Sequence, residues 1–133
     1  MGWEYMEALR SLATPPQLPP PRLTLPELRR TVSHEGDLLR LQCVLQRLRD
    51  GENVTIGVIG GSISAGTSVR VRANQSGLFH KQATDWLQSA YPAAKIVHFN
   101  AAMPAIPPYY MEQCLQMHVP ATVDLMFVEA AAN

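Results

Sequence analysis

The chain has 133 residues, a one-domain length, and its 47% hydrophobic and 17% charged residues support a packed core and argue against gross disorder. Eleven basic and eleven acidic residues cancel, which argues against a sequence-independent nucleic-acid binder, since that needs clustered positive charge. No apolar run reaches the length of a membrane span, and MGWEYMEALR lacks the apolar centre of a secretory signal. Cys43 and Cys114 fall on different predicted helices, where they form neither a disulfide framework nor a zinc site and read as two small buried hydrophobes. The sequons at Asn53 and Asn74 matter only in a secreted chain, and the compartment is not set by the sequence.

Residues 1–33 read as an extension. A short helix is expected over 3–13, followed by PPQLPPPRLTLP, in which six of twelve residues are proline. Proline fixes φ and removes a donor, so this segment is expected to be extended, as a stiff arm lying on the domain or as a polyproline ligand for a partner. The domain proper covers residues 34–133. Its regular structure is expected to start at Asp37, which can cap a helix carrying Leu38, Leu41, Leu45 and Leu48 at three- and four-residue steps. Gly51 sits where that helix would stop, and Arg40, Arg47 and Arg49 read as solvated charges along it.

VTIGVI is a short, continuous apolar run bounded by turn residues, the pattern of a strand buried on both faces. GLFHKQATDWLQSAY then predicts a helix with Phe79, Ala83, Trp86 and Ala90 on its inner face, ended by Pro92. KIVHF is a second strand, and NAAMPAIPP a loop with proline breaks. YYMEQCLQMH predicts a helix with Tyr110, Cys114 and Met117 on one face, closed by Pro120, and DLMFVE is a third strand. Strands alternating with helices imply an α/β fold, a parallel β-α-β-α-β sheet in a three-layer sandwich. Chemistry in such sheets gathers at the carboxyl ends of the strands. Topology alone therefore brings 60–64, 100–107 and 130–133 to one crevice.

The break in VTIGVIGGSISAGTS admits three readings. GSISAGTS matches a phosphate loop except that Thr67 stands where the phosphate-neutralising lysine belongs. Gly57, Gly60, Gly61 and Gly66 do not space as G-x-G-x-x-G, so a nucleotide-binding β-α-β module is the weakest reading. A serine just past a buried strand and behind two glycines can instead expose its hydroxyl on a tight turn, with its own amide helping to hold an oxyanion. Ser62 is that serine, and Ser64 reads as a turn or capping residue.

VTIGVIGGSISAG, HFNAAMPAIPPYYM and FVEAAAN, taken together, resemble the first three sequence blocks of the SGNH, or GDSL-type, hydrolases over about residues 34–133. Gly60-Gly61-Ser62-Ile63 stands for G-D-S-L, and Asn100-Ala101-Ala102-Met103-Pro104-Ala105-Ile106 for N-G-A-I-P-G-T. Val128-Glu129 followed by Asn133 stands for the third block. The resemblance implies a flavodoxin-like SGNH hydrolase fold and an ester hydrolase acting on a small acylated or acetylated substrate, with no cofactor and no metal. It implies Ser62 as nucleophile and an oxyanion hole built from the Ser62 amide, the Ala105 amide and the Asn133 side chain. Ala101 and Ala105 stand where the family has glycine, and an alanine at 105 is strained if that position needs a positive φ.

The family supplies its base from an Asp-x-x-His block, and none occurs in the 133 residues. His34, His80, His98 and His118 are not expected to replace it. The expectation is therefore a truncated or degenerate copy, incomplete or inactive as this chain, whose open sheet edges invite self-association. The alternative is a non-catalytic binding protein of the same fold.

Overall fold

The computed structural model describes residues 22–67 and 75–130. The expected helix over 3–13 and most of the proline segment lie outside these residues, as does Asn133. Regular structure begins earlier than Asp37, with α1 at Leu25–Thr31. Glu27 reaches back to the Thr24 backbone N–H at 2.7 Å, and Pro26 sits in the first turn, where a missing N–H costs nothing. Pro26 ends the segment expected to be extended, but its place at the start of a helix makes it compatible with helical structure.

Helix α2 spans Leu39–Arg49, with Asp37 Oδ1 accepting the Leu39 N–H at 2.9 Å and Gly51 turning the chain at φ +77°. Strand β1 is Asn53–Gly60. The one-turn helix α3 is Ser62–Ala65, and α4 is Phe79–Ala90. Strand β2 is Lys95–Asn100, α5 is Pro108–His118, and β3 is Leu125–Glu129. The three strands are parallel in the order β2-β1-β3, with Ile56 beside His98 on one side and Leu125 on the other. The α/β architecture expected from the strand–helix alternation is the one observed.

The central strand alternates between two covered faces. Val54 and Ile56 are fully buried in a cluster with Val44 and Leu48 of α2 and with Leu87, Tyr91 and Ala94 in and after α4. On the α5 side, a Cβ at Gly57 would stand 3.1 Å from both Met126 Sδ and Val123 Cγ1, so the glycine admits β3 and its lead-in close to the strand. Burying a core side chain of this kind contributes about 1.5–3 kcal/mol.

In both crossover helices the most buried stripe lies about one residue from the predicted one, although Trp86 and Ala90 of the predicted α4 stripe are half-buried and pack against the core cluster. In α4 the buried residues are His80, Thr84 and Leu87, while Phe79 is 46% exposed. In α5 Met111 is buried and Met117 is 79% exposed. In α4 the most buried stripe includes His80 and Thr84, polar residues whose hydrogen bonds an apolarity count cannot see. Cys43 is exposed and Cys114 half-buried, which corrects their reading as buried hydrophobes. Arg47 is no free solvated charge: it pairs with Glu52 at 2.8 Å and with Asp124, and donates to the Asn53 carbonyl at 2.8 Å. Asp124 Oδ2 accepts the Thr55 N–H at 2.8 Å, so this group ties α2, β1 and the start of β3 together.

Candidate functional site

β1 ends at Gly60, and the chain turns at once into α3. Gly61 is its N-cap, in extended conformation, and Gly66 closes it at φ +82°, a left-handed cap that glycine adopts without steric cost. The Gly61 carbonyl accepts from Ala65 N–H at 2.9 Å, and the Ser62 carbonyl accepts from Gly66 N–H at 3.0 Å and Thr67 N–H at 3.1 Å. Ser62 is the first residue of this turn and is half-buried. It stands at the carboxyl end of the central strand, where the sequence reading put it.

Gly60 is required by packing. A Cβ there would lie 2.7 Å from the Glu129 carbonyl oxygen and 2.8 Å from Ser64 Oγ. The strand end is therefore pressed between its neighbour β3 and the turn that follows it.

Ser64 is the pinned residue of the turn and is completely buried. Its hydroxyl donates to Glu129 Oε2 at 3.1 Å. Its carbonyl faces His80 Nε2 at 2.9 Å and Asn100 Nδ2 at 3.0 Å. A carbonyl can only accept, so both nitrogens donate to it. His80 in turn meets His98, Nδ1 to Nε2 at 2.9 Å, with the rings stacked 5.0 Å apart. Since His80 Nε2 bears hydrogen, a neutral His80 presents Nδ1 as acceptor and His98 Nε2–H donates to it. Burial pushes the His98 imidazole below its ordinary value; His80 and Lys81 act in the same direction, and Asp85 opposes them.

The second loop reaches the same place. Ala101 N–H donates to the Val58 carbonyl at 2.9 Å, and Met103 N–H to the Gly60 carbonyl at 3.0 Å. Asn100 Oδ1 accepts the Ala102 N–H at 3.0 Å. These bonds fix the loop that carries Ala105, whose φ is +60°. The position is left-handed, the case in which the family resemblance implies strain for an alanine. For an L-residue with a Cβ that conformation costs about 1–2 kcal/mol.

The structure thus gathers Ser62, the 100–107 loop and the end of β3 at one sheet edge. No histidine reaches the Ser62 hydroxyl among the described residues: His80 and His98 hold each other, and His118 Nε2 lies 3.3 Å from Tyr110 Oη. No group of three His, Cys, Asp or Glu among the described residues is placed to hold a metal. No helix among them is long and apolar enough to cross a membrane.

A cleft of about 170 Å³ opens on the α5 side, lined by Ile59, Ile106, Met111, Leu115 and Val128 and bordered by Glu129. Gly60 and Glu129 belong both to this cleft and to the packing beneath α3.

Sequence reasoning did not assign roles to His80, His98, Asn100 or Glu129. One signal was available: His98 and Asn100 are two apart on β2, so they share a face, and a histidine there needs a polar partner. Nothing in the sequence pairs that face with His80.

Crystal structures that match this fold include the following two. Both are of a two-domain esterase (CEX) active on acetylated mannans, one of them co-crystallized with mannopentaose. They superpose with TM-scores of 0.65 and 0.66 at 21% identity over 73% of this chain. The chain spans 26% of the length of that esterase. No known family profile matches the sequence. No curated protein matches it either.

Proposed function

We propose that this chain carries the serine side of an ester-hydrolase site of the SGNH type. Ser62 is the nucleophile toward a small acylated or acetylated ester. The Ser62 and Ala105 amides and the Asn133 side chain surround the oxyanion. The observation that carries this reading is the placement of Ser62. It opens a one-turn helix at the carboxyl end of the central strand, beside a loop tied to that strand through Met103 N–H and the Gly60 carbonyl at 3.0 Å. The fold shared with an acetylmannan esterase supports the acetyl-ester class of substrate; the sugar is not carried across.

A serine with no base is an ordinary alcohol. No Asp-x-x-His occurs in the 133 residues, and His80, His98 and His118 are otherwise engaged. Turnover by this chain is therefore slow, limited to what binding and oxyanion donors supply. The same observation favours a second reading, in which the fold is kept as a non-catalytic binding surface.

The decisive experiment pairs p-nitrophenyl acetate hydrolysis with fluorophosphonate labelling of the 133-residue protein. Slow labelling that Ser62→Ala abolishes, with weak hydrolysis lost in parallel, is the expected result. Labelling that persists in Ser62→Ala rejects Ser62 as the nucleophile. No labelling and no hydrolysis together favour the binding protein.

A further inference from the structure

We infer that His80 is a positioning residue that sets the direction of the Ser62 amide N–H through the Ser64 carbonyl. This rests on the reading of Ser62 as nucleophile and oxyanion donor.

The path runs through two planar peptide units. The Ser64 carbonyl and the Ala65 N–H belong to one plane, and the Gly61 carbonyl and the Ser62 N–H belong to another. His80 Nε2 at 2.9 Å and Asn100 Nδ2 at 3.0 Å hold the first plane by its oxygen. The N–H of that same plane, on Ala65, donates to the Gly61 carbonyl at 2.9 Å. Fixing the Gly61 oxygen fixes the opposite side of its peptide, where the Ser62 N–H points. Two rigid planes and one hydrogen bond thus separate the imidazole from the proposed oxyanion donor.

The burial of His80 fits this role better than simple packing. It is 0% exposed on the inner face of α4, at a position an apolar side chain would fill more cheaply. Both ring nitrogens are used, one on the Ser64 carbonyl and one on His98. The His98 contact selects the tautomer: by donating to His80 Nδ1, His98 leaves the His80 hydrogen on Nε2, facing the carbonyl. A one-turn helix is otherwise poorly held, because it offers few internal hydrogen bonds for the dihedrals it fixes.

The test compares His80→Phe, which keeps ring and volume but has no donor, with His80→Gln, whose amide nitrogen reaches the Nε2 position. The rate of Ser62 labelling by a fluorophosphonate is the functional readout, because the phosphonyl oxygen must enter the oxyanion hole. His80→Phe is expected to slow labelling roughly tenfold to a hundredfold, the scale of a misdirected oxyanion donor, and His80→Gln to recover most of it. Labelling of folded His80→Phe at the wild-type rate overturns the inference, as does His80→Gln remaining as slow as His80→Phe.

Two measurements do not depend on Ser62 being reactive. Ala65 amide exchange is expected to speed up at least about fivefold in His80→Phe, the worth of one lost hydrogen bond. Unchanged exchange overturns the role of His80. Nitrogen-15 NMR of the unmodified protein is expected to show His80 as the Nε2–H tautomer, and an Nδ1–H tautomer overturns it even where His80→Phe fails to fold. If the wild type takes no label, the Ser62 reading fails by itself, and the exchange and tautomer results decide the role of His80 in orienting the turn.

Discussion

Ser64 Oγ donates to Glu129 Oε2 at 3.1 Å, joining the turn after the first strand to the end of the last strand across 65 residues of sequence. Both are placed by their backbones: Ser64 lies in the turn after β1, and Glu129 sits in register with Gly60 on β3. The second carboxylate oxygen, Oε1, is buried with no hydrogen-bond partner among the described residues, so the Ser64 bond is the one polar contact seen for that side chain. Ser64→Ala is expected to lower unfolding free energy by about 2 kcal/mol, the scale of leaving a buried hydrogen-bonding group without its partner. Urea denaturation measures it, and an unchanged midpoint would show that the bond does not stabilise the turn.

Ala105 holds φ +60° in a loop tied to β1 through Ala101 and Met103. Ala105→Gly removes the steric penalty while keeping the backbone N–H. A net gain of about 1 kcal/mol is expected, because the added freedom of the unfolded glycine offsets part of the relief. A rise in thermal midpoint checks this. A fall would mean that the loop relaxes to negative φ in solution.

Asp124 governs acid stability. Burial alone would raise its pKa, but the Thr55 N–H and the Arg47 guanidinium outweigh that and hold it below the usual carboxylate value. The folded state therefore binds fewer protons than the unfolded chain. Its contribution is present above the unfolded pKa, about 3.9, and is lost as pH falls below that toward the folded value. Asp124→Asn is expected to be less stable at neutral pH and to show a flatter acid limb between about pH 4 and pH 2. Parallel curves for both proteins would contradict the assignment.

His98 acts in a higher window. Its folded pKa is lowered by burial and by His80, so protonation favours the unfolded chain. Its contribution is complete above the unfolded pKa of about 6.5 and declines as pH falls from there toward the folded value. His98→Gln, which keeps a donor for His80 Nδ1, is expected to remove that slope. A slope unchanged between about pH 6.5 and pH 5 would place the titration elsewhere.

The sequence by itself determined the strand–helix alternation, the parallel sheet and the delivery of Ser62 to a strand end. These follow from local chemistry: continuous apolar runs in VTIGVI and DLMFVE, glycines after the first, and prolines after each crossover helix. The expectation of strain at Ala105 comes from the family resemblance alone, since nothing in the local sequence asks for glycine there; the structure holds that residue at φ +60°. Tertiary structure alone decided which helix stripe turns inward. Phe79 and Ala83 look like the buried face of α4 until His80 is seen to face the Ser64 carbonyl, 16 residues away in sequence. The same holds for Asp124 with Arg47 and for Ser64 with Glu129. Apolar burial is periodic and readable along the chain, whereas a hydrogen bond between distant polar groups exists only once the sheet has set strand order and register.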